Sequence, residues 1–411
     1  MPIGTRIPRL THFSPRLPSV RMIRTLILVV ALVATACSPS GEAEQTGLLA
    51  IVDDLGDVVI VTADGDIIAE PTDLAQGTTA FQPVWSGPGH VVYVEQTAGS
   101  GSLVVAEVGS GEQRRIEFPT PPFYVYPRPG GGGGAEIVTL RNSITGGLAA
   151  EIVADDASVG GLDGDFPFFF GWTADGRVVA HSEDAYLDEV HPDRLPVAAD
   201  LGTFAAPGVR DNEIVYVRSA GSTSFLTLIS DDETVDLASI IGPAHFVVGG
   251  DQVAVRSVGP VAEPGTSGVE VLAQSVPAVR PDALVVVGLD DGTLEIAADG
   301  GIVAFFWDPS ARRLLYLDFE GTESNELAWH VWEGGEVTDF STFTPDPIWF
   351  ATFVPFFDQY AQSMTLWSPD STAFAFSGTV DGESGVWVQH LDREAPVRIA
   401  AGSWVAWGPA T

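Results

Sequence analysis

The sequence predicts an all-β chain built from one four-stranded unit repeated around a ring, and three observations predict it. The first is the stretch Met364 to Ala400. There an aromatic-ended strand (Met364-Thr365-Leu366-Trp367) meets Ser368-Pro369-Asp370-Ser371, and strands at Thr372–Ser377, Gly385–Leu391 and Pro396–Ala400 follow. Pro presets φ near −65° and Asp bonds its own backbone, so the chain reverses at that point. The second is alternation: Ala373 and Ala375 lie on one side and Phe374 and Phe376 on the other, which suits a sheet buried on both faces. The third is recurrence, because an aromatic or apolar anchor before a reversal returns along the whole chain, with no long helical pattern after residue 46. One sheet cannot bury two faces, so the copies must stack face to face. The expectation is a β-propeller of four-stranded blades, eight by the anchor count and seven as the alternative.

In chain order, Arg21 and Arg24 lead into the apolar run Thr25 to Val33, which is too short to span a bilayer as a stable helix. Ala34-Thr35-Ala36 and then Cys37, the single cysteine, follow. Small residues directly before a Cys resemble the cleavage box of bacterial lipoproteins, although Ala stands at position 34 where that family usually has Leu. The resemblance implies a signal peptide over residues 1–36, with Met22 a plausible start, and lipidation (palmitate included) at Cys37. One Cys also excludes internal disulfides. Residues 38–46 read as a polar tether, and residues 47–411 as a single propeller domain.

Gly47 to Glu70 gives three strands, Leu48–Val52, Asp57–Thr62 and Asp66–Ala69, which lack an anchor strand. The anchors then run Trp85, Tyr126, Trp172, Pro207, Val248, Trp307, Trp367 and Trp407. A blade needs about 40 to 45 residues, so the longer gaps from Val248 to Trp307 and from Trp307 to Trp367 carry insertions. The Pro207 and Val248 copies are the weakest, and merging one would leave seven blades. After Val248 the third strand falls at Val269–Ala273 or at Leu284–Leu289. Trp404 to Pro409 is an anchor strand with nothing after it, the piece missing from the amino terminus. The ring is therefore expected to close when this C-terminal strand joins the N-terminal strands in one blade.

Trp367-Ser368-Pro369-Asp370, Trp172-Thr173-Ala174-Asp175-Gly176 and Trp307-Asp308-Pro309 resemble the WD40-like repeats of TolB-type β-propellers. The resemblance spans nearly all of Gly47 to Pro409 and implies an extracytoplasmic scaffold. It does not imply the Tol system, whose amino-terminal α/β domain has no counterpart here. In such repeats Trp85, Trp172, Trp307, Trp367 and Trp407 are structural blade anchors and not site residues.

Charge narrows the partners. There is no lysine, five of the 19 basic residues precede Cys37, and all 55 acids follow it, leaving fourteen arginines against fifty-five acids, a net of −41. Nucleic acid and anionic lipid head groups are disfavoured. No Gly-x-Ser-x-Gly elbow, no His-Glu-x-x-His and no P-loop lysine occurs, so an enzyme is the less favoured class. The five glycines Gly130–Gly134 read as a flexible turn.

Two stretches exceed what a blade needs. His181, Glu183, Asp184, Asp188, Glu189, His191 and Asp193 gather enough oxygen and imidazole to bind Ca²⁺ or a transition metal, or else form a solvated acidic loop. Trp349, Phe350, Phe353, Phe356 and Phe357 lie in a Pro-broken aromatic run. Exposed, these rings would form a partner-binding patch; buried, they would form an inner strand or plug the channel mouth. The sequence thus reads as a monomeric lipoprotein on the outer face of the bacterial cell membrane, acting as a protein-binding propeller scaffold for an extracytoplasmic or membrane partner. The alternative is a propeller enzyme acting on a glycan or lactone through channel carboxylates or a bound metal. A lipoprotein that modulates a sensor kinase is a third reading, suggested by architecture alone.

Overall fold

The computed structural model describes residues 47–410 apart from 73, 76, 98–99, 156, 165–167, 183–185, 190–194, 203–204, 221–222, 231–232, 268–269, 271–272, 274–277 and 322–324; at 157, 162, 164, 168, 186–189, 195 and 196 the backbone alone is described. Cys37 and the signal segment lie outside the described residues. None of the described helices is long and apolar enough to cross a membrane.

The strands in chain order begin with β1 (Leu49–Val52), β2 (Val58–Val61) and β3 (Ile67–Ala69). Next come β4 (Thr79–Gly87), β5 (His90–Thr97), β6 (Ser100–Glu107) and β7 (Gln113–Phe118), then β8 (Pro122–Pro127), β9 (Ile137–Asn142), β10 (Leu148–Ala154) and β11 (Ala157–Gly164). The chain continues through β12 (Phe168–Trp172), β13 (Val178–Ser182), β14 (Tyr186–Glu189) and β15 (Leu195–Ala198), and then β16 (Gly208–Arg210), β17 (Glu213–Ala220), β18 (Thr223–Ser230) and β19 (Glu233–Ile240). β20 (Ala244–Gly249), β21 (Gln252–Ser257), β22 (Val261–Ala262), β23 (Ala278–Val279), β24 (Leu284–Gly288) and β25 (Leu294–Ala298) follow. The series ends with β26 (Ile302–Trp307), β27 (Leu314–Phe319), β28 (Leu327–Glu333), β29 (Glu336–Pro345), β30 (Ala373–Val380), β31 (Glu383–His390), β32 (Val397–Ala400) and β33 (Trp404–Trp407).

They assemble into antiparallel sheets, most of four strands: β4 to β7, β8 to β11, β12 to β15 and β20-β21-β24-β25. β16 to β19 form a sheet that β22 and β23 extend at its outer edge. β26 to β29 continue into β30-β31-β32, because the end of β29 pairs Thr344 with Thr379 and Pro345 with Gly378. The last strand pairs with the first: β33 lies antiparallel to β1, Leu49 opposite Trp407 and Val52 opposite Trp404, in a sheet of order β3-β2-β1-β33.

Inner strands of neighbouring sheets touch, β1 and β33 against β4, β4 against β8, β12 against β16, β16 against β20, β20 against β26, and β30 against β33. Sheets facing one another in this way bury both faces of the inner strands, so β1 and β2 are buried throughout, whereas Ile67 and Ile68 of the outer β3 stand exposed. This is β-propeller architecture.

Two expectations need adjustment. The third strand of the Val248 copy is β24, and the residues before it supply β22 and β23 to the preceding sheet instead. The strand expected at Met364–Trp367 is reduced to a bridge between Trp367 and Phe374, with Ala375 N–H donating to the Leu366 carbonyl at 2.9 Å. The Thr365 carbonyl is turned to the next sheet, where it accepts from Trp407 N–H at 2.8 Å.

Candidate binding site at the channel mouth

The anchor turns follow one chemistry. In three of them the polar residue after the Trp holds the reversal: Ser368 Oγ accepts from Ala373 N at 2.9 Å, Thr173 Oγ1 from Arg177 N at 2.9 Å, and Asp308 Oδ1 from Arg312 N at 2.8 Å and Arg313 N at 3.0 Å, whereas the buried Ser86 hydroxyl after Trp85 has no hydrogen-bond partner among the described residues. Burial alone would raise the Asp308 pKa, but the N–H groups of Arg313 and Arg312 and the hydroxyls of Ser310 and Ser371 outweigh it and hold the carboxyl below its usual range. Four residues past the anchor the backbone turns left-handed, at Gly89, Gly130, Gly176, Asp211, Ala311 and Ser371.

The Trp anchors also link neighbouring sheets. Their indole Nε1 groups donate to backbone carbonyls of the next innermost strand, Trp85 to Ala406 and Trp172 to Tyr126 at 3.0 Å, and Trp307 to Val247 at 3.0 Å and Trp367 to Phe306 at 3.1 Å. Trp407 is the exception: its buried indole N–H has no partner among the described residues.

The space between the innermost strands is filled by the aromatic insertion. Helix α1 (Pro347–Thr352) starts because Asp346 accepts from Ile348 N and Trp349 N at 2.9 and 3.0 Å and Pro347 presets the first turn. A 3₁₀ turn at Val354–Phe356 follows. Tyr360 packs on Tyr124, Phe169 and Phe170, while Phe357 packs on Phe305 and Phe306. Phe353 stacks on Phe306 at 5.5 Å, and Tyr124 Oη and Ser363 Oγ bond backbone carbonyls between segment and ring.

Above this plug, at the C-terminal ends of β8, β12, β20 and β26, opens a cavity of about 590 Å³. Trp172, Trp307, Trp367, Phe246 and Phe306 wall it, and Phe357, Asp358, Ala361, Gln362 and Met364 floor it. A neighbouring hollow of about 450 Å³ shares Tyr126, Pro129, Pro309, Gln362, Thr365 and Trp367 with it and reaches Trp85 and Trp407. The anchor-turn prolines Pro129 and Pro309 therefore stand at a common rim.

Asp308 and Asp358 are the charged residues of the larger cavity, and the smaller hollow has none. Asp358 is 3% exposed; its Oδ2 accepts from His245 Nδ1 at 3.0 Å, and its Oδ1 has no partner. The hydrogen bond to Asp358 raises the His245 pKa above the usual imidazole value, against the opposing effect of burial. Gln362 Nε2 donates to the Asp358 carbonyl at 2.8 Å, and Tyr126 Oη donates to Gln362 Oε1 at 3.2 Å. Burial pushes the Tyr126 phenol up to about 12.

Of the two alternatives for the aromatic run, an exposed patch or a buried plug, the burial fits the plug. Trp349 and Phe353 are fully buried, Phe357 nearly so, and Phe350 and Phe356 are half-buried. Rings so placed are packing groups of the plug and not an exposed surface for a partner. The acidic stretch divides differently. His181 is buried in β13 with Nδ1 against the Ala205 carbonyl at 2.9 Å, as a core histidine would be. Asp188 and Glu189 lie on β14, described by backbone alone, and Glu183, Asp184, His191 and Asp193 lie outside the described residues. Among the described residues no group of three His, Cys, Asp or Glu is placed to hold a metal. Sequence reasoning passed over Asp358 and His245. The available signal was a single carboxylate inside an otherwise apolar run, which needs a partner wherever that run is buried.

No protein-family model and no curated protein matches the sequence. Solved structures do. The chain is similar to a structure described as the eukaryotic initiation factor, with 11% identity and a TM-score of 0.55 over 89% of this chain and 98% of that one. It is also similar to the dihydro-heme d1 dehydrogenase NirN in complex with DHE, with 14% identity and a TM-score of 0.51 over 91% of this chain and 77% of that one. TolB from Acinetobacter baumannii is similar at 13% identity and a TM-score of 0.38, over 77% of this chain and 81% of that one. Identities this low speak to the fold alone.

Proposed function

We propose that this chain is an exported β-propeller of eight four-stranded blades, held by a lipid on Cys37 at the outer face of the bacterial cell membrane, that works as a rigid binding scaffold. The blade count is supported by β1–β3 with β33, then β4–β7, β8–β11, β12–β15, β16–β19, β20-β21-β24-β25, β26–β29, and β30–β32 with the Trp367 segment as eighth. β33 beside β1 supports closure of the ring, since it covers the edge that the first sheet would otherwise expose.

The observation that carries the binding reading is the cavity of about 590 Å³ at the channel mouth. It falls within the size of sites that enclose small ligands or side chains, and its walls come from several blades at once. The plug fixes its floor, so little entropy is lost when something enters.

Site-specific photo-crosslinking in intact cells tests this. A photoreactive residue at Pro129 or Pro309, on the rim, should capture an extracytoplasmic partner that the same residue at Leu55, which is 79% exposed and away from the cavity, does not. Equal capture at all three positions, or none, overturns the binding role of this mouth. Fractionation of Cys37→Ala tests the anchor, which fails if the variant stays on membranes.

A further inference from the structure

We infer that the group received by the channel-mouth cavity is an organic ammonium ion, held by Asp358 and the aromatic walls; this rests on the binding reading above. Asp358 is the starting point, a carboxylate 3% exposed at the cavity floor. A buried ionised carboxylate is costly unless its oxygens are satisfied. Oδ2 has His245, and Oδ1, itself buried, has no hydrogen-bond partner among the described residues. Asp308 is not equivalent, because its oxygens already serve the turn amides of Arg312 and Arg313 and the Ser310 hydroxyl.

The walls point the same way. Among the described residues no arginine, lysine or histidine lines the cavity, so no cation there competes for Asp358 from inside it. His245, which bonds Oδ2, is not among the residues that line the cavity. Trp172, Trp307 and Trp367 with Phe246, Phe306 and Phe357 present aromatic surface, which attracts cations through the ring quadrupole. The strongly acidic chain adds a long-range field of the same sign. An anion has no donor cluster here, and a metal ion lacks the further ligands it needs.

The ammonium could be a free amine or the ε-amino group of a partner's lysine, and the test separates them. The full exported chain is titrated with butylammonium and choline, with the neutral isosteres butanol and 3,3-dimethylbutanol, and with a lysine-containing peptide beside its acetylated form. Tryptophan fluorescence is the readout, since three indoles line the cavity. The expected result is saturable binding of the cations at least tenfold tighter than their isosteres, reduced at least tenfold by Asp358→Asn in a variant whose circular dichroism is unchanged. A preference for the peptide over the small amines assigns a protein lysine, and the reverse assigns a free amine. If Asp358→Asn does not fold, the cation-to-isostere ratio in the unmodified protein decides alone. Equal binding of isosteres, binding unaffected by Asp358→Asn, or no binding of any cation overturns the inference. In that case rim crosslinks from Pro129 and Pro309 that persist show that the mouth still binds a partner and only the cation assignment has failed.

Discussion

The indole Nε1 of Trp307 donates to the Val247 carbonyl at 3.0 Å, and its ring lies against Gly249, where an added Cβ would come within 2.3 Å of a ring carbon. Trp85 repeats the relationship with Ala406 and Gly408. An anchor on one innermost strand is thus bonded to the next strand, and a glycine there gives the ring its space. Trp307→Phe keeps an aromatic ring and removes the donor, and should cost about 1 kcal/mol in urea unfolding. Gly249→Ala meets the ring directly and should cost about 1–3 kcal/mol. Combined, the two should lose less than their separate effects together, because the smaller ring leaves room for the new methyl. Strictly additive losses would mean that ring and glycine are not coupled.

Ala311 and Ser371 hold the left-handed position of their anchor turns at φ 54° and 61°, where Gly89, Gly130 and Gly176 stand in other copies. A side chain at such φ is strained by about 1 kcal/mol, and glycine relieves it. Ala311→Gly should therefore stabilise the protein by about 0.5–1 kcal/mol, an unusual direction for a change to glycine. A lowered thermal midpoint would show that this turn is not strained.

Phe353 is fully buried in the plug and stacks on Phe306, while Ile348, five residues earlier, is 51% exposed. Phe353→Ala should cost about 3–5 kcal/mol, and Ile348→Ser should stay within about 0.5 kcal/mol. Chemical denaturation followed by circular dichroism measures both. Similar small losses at the two positions would remove the plug from the stability of the ring.

The repeat was legible because its turn chemistry is local: Trp367-Ser368-Pro369-Asp370 specifies its own reversal, and alternation such as Ala373 to Phe376 specifies a sheet with two buried faces. The C-terminal anchor strand was legible for the same reason, since a missing first strand at Gly47 and a surplus one at Trp404 are complementary. The plug was not settled, because burial of Trp349 and Phe353 depends on rings supplied by several distant strands, Phe306 and Trp329 among them. The Asp358–His245 pair was harder still, as Asp358 lies in the insertion between β29 and β30 and His245 on β20, 113 residues apart, and neither neighbourhood shows a ligand-like spacing. The reduced first strand at Met364–Trp367 follows from competition, the Thr365 carbonyl being taken by Trp407 across the seam.

Asp308 carries the pH dependence that can be stated with a sign. Burial pushes its pKa up, yet the turn donors prevail and its folded-state pKa lies below the unfolded value. A depressed carboxylate pKa contributes stability that is present above the unfolded value of about 3.9 and is lost as pH falls through the folded value. Asp308→Asn keeps a carbonyl oxygen for the amides of Arg312 and Arg313 but removes the charge. It should cost about 1 kcal/mol at pH 7. The cost should shrink below about pH 4, where the unfolded chain takes up a proton at this residue that the folded carboxyl still resists. Urea midpoints of both proteins measured from pH 7 to pH 3 give the comparison. A difference that does not narrow on acidification would mean that the Asp308 charge is not what holds the Trp307 turn.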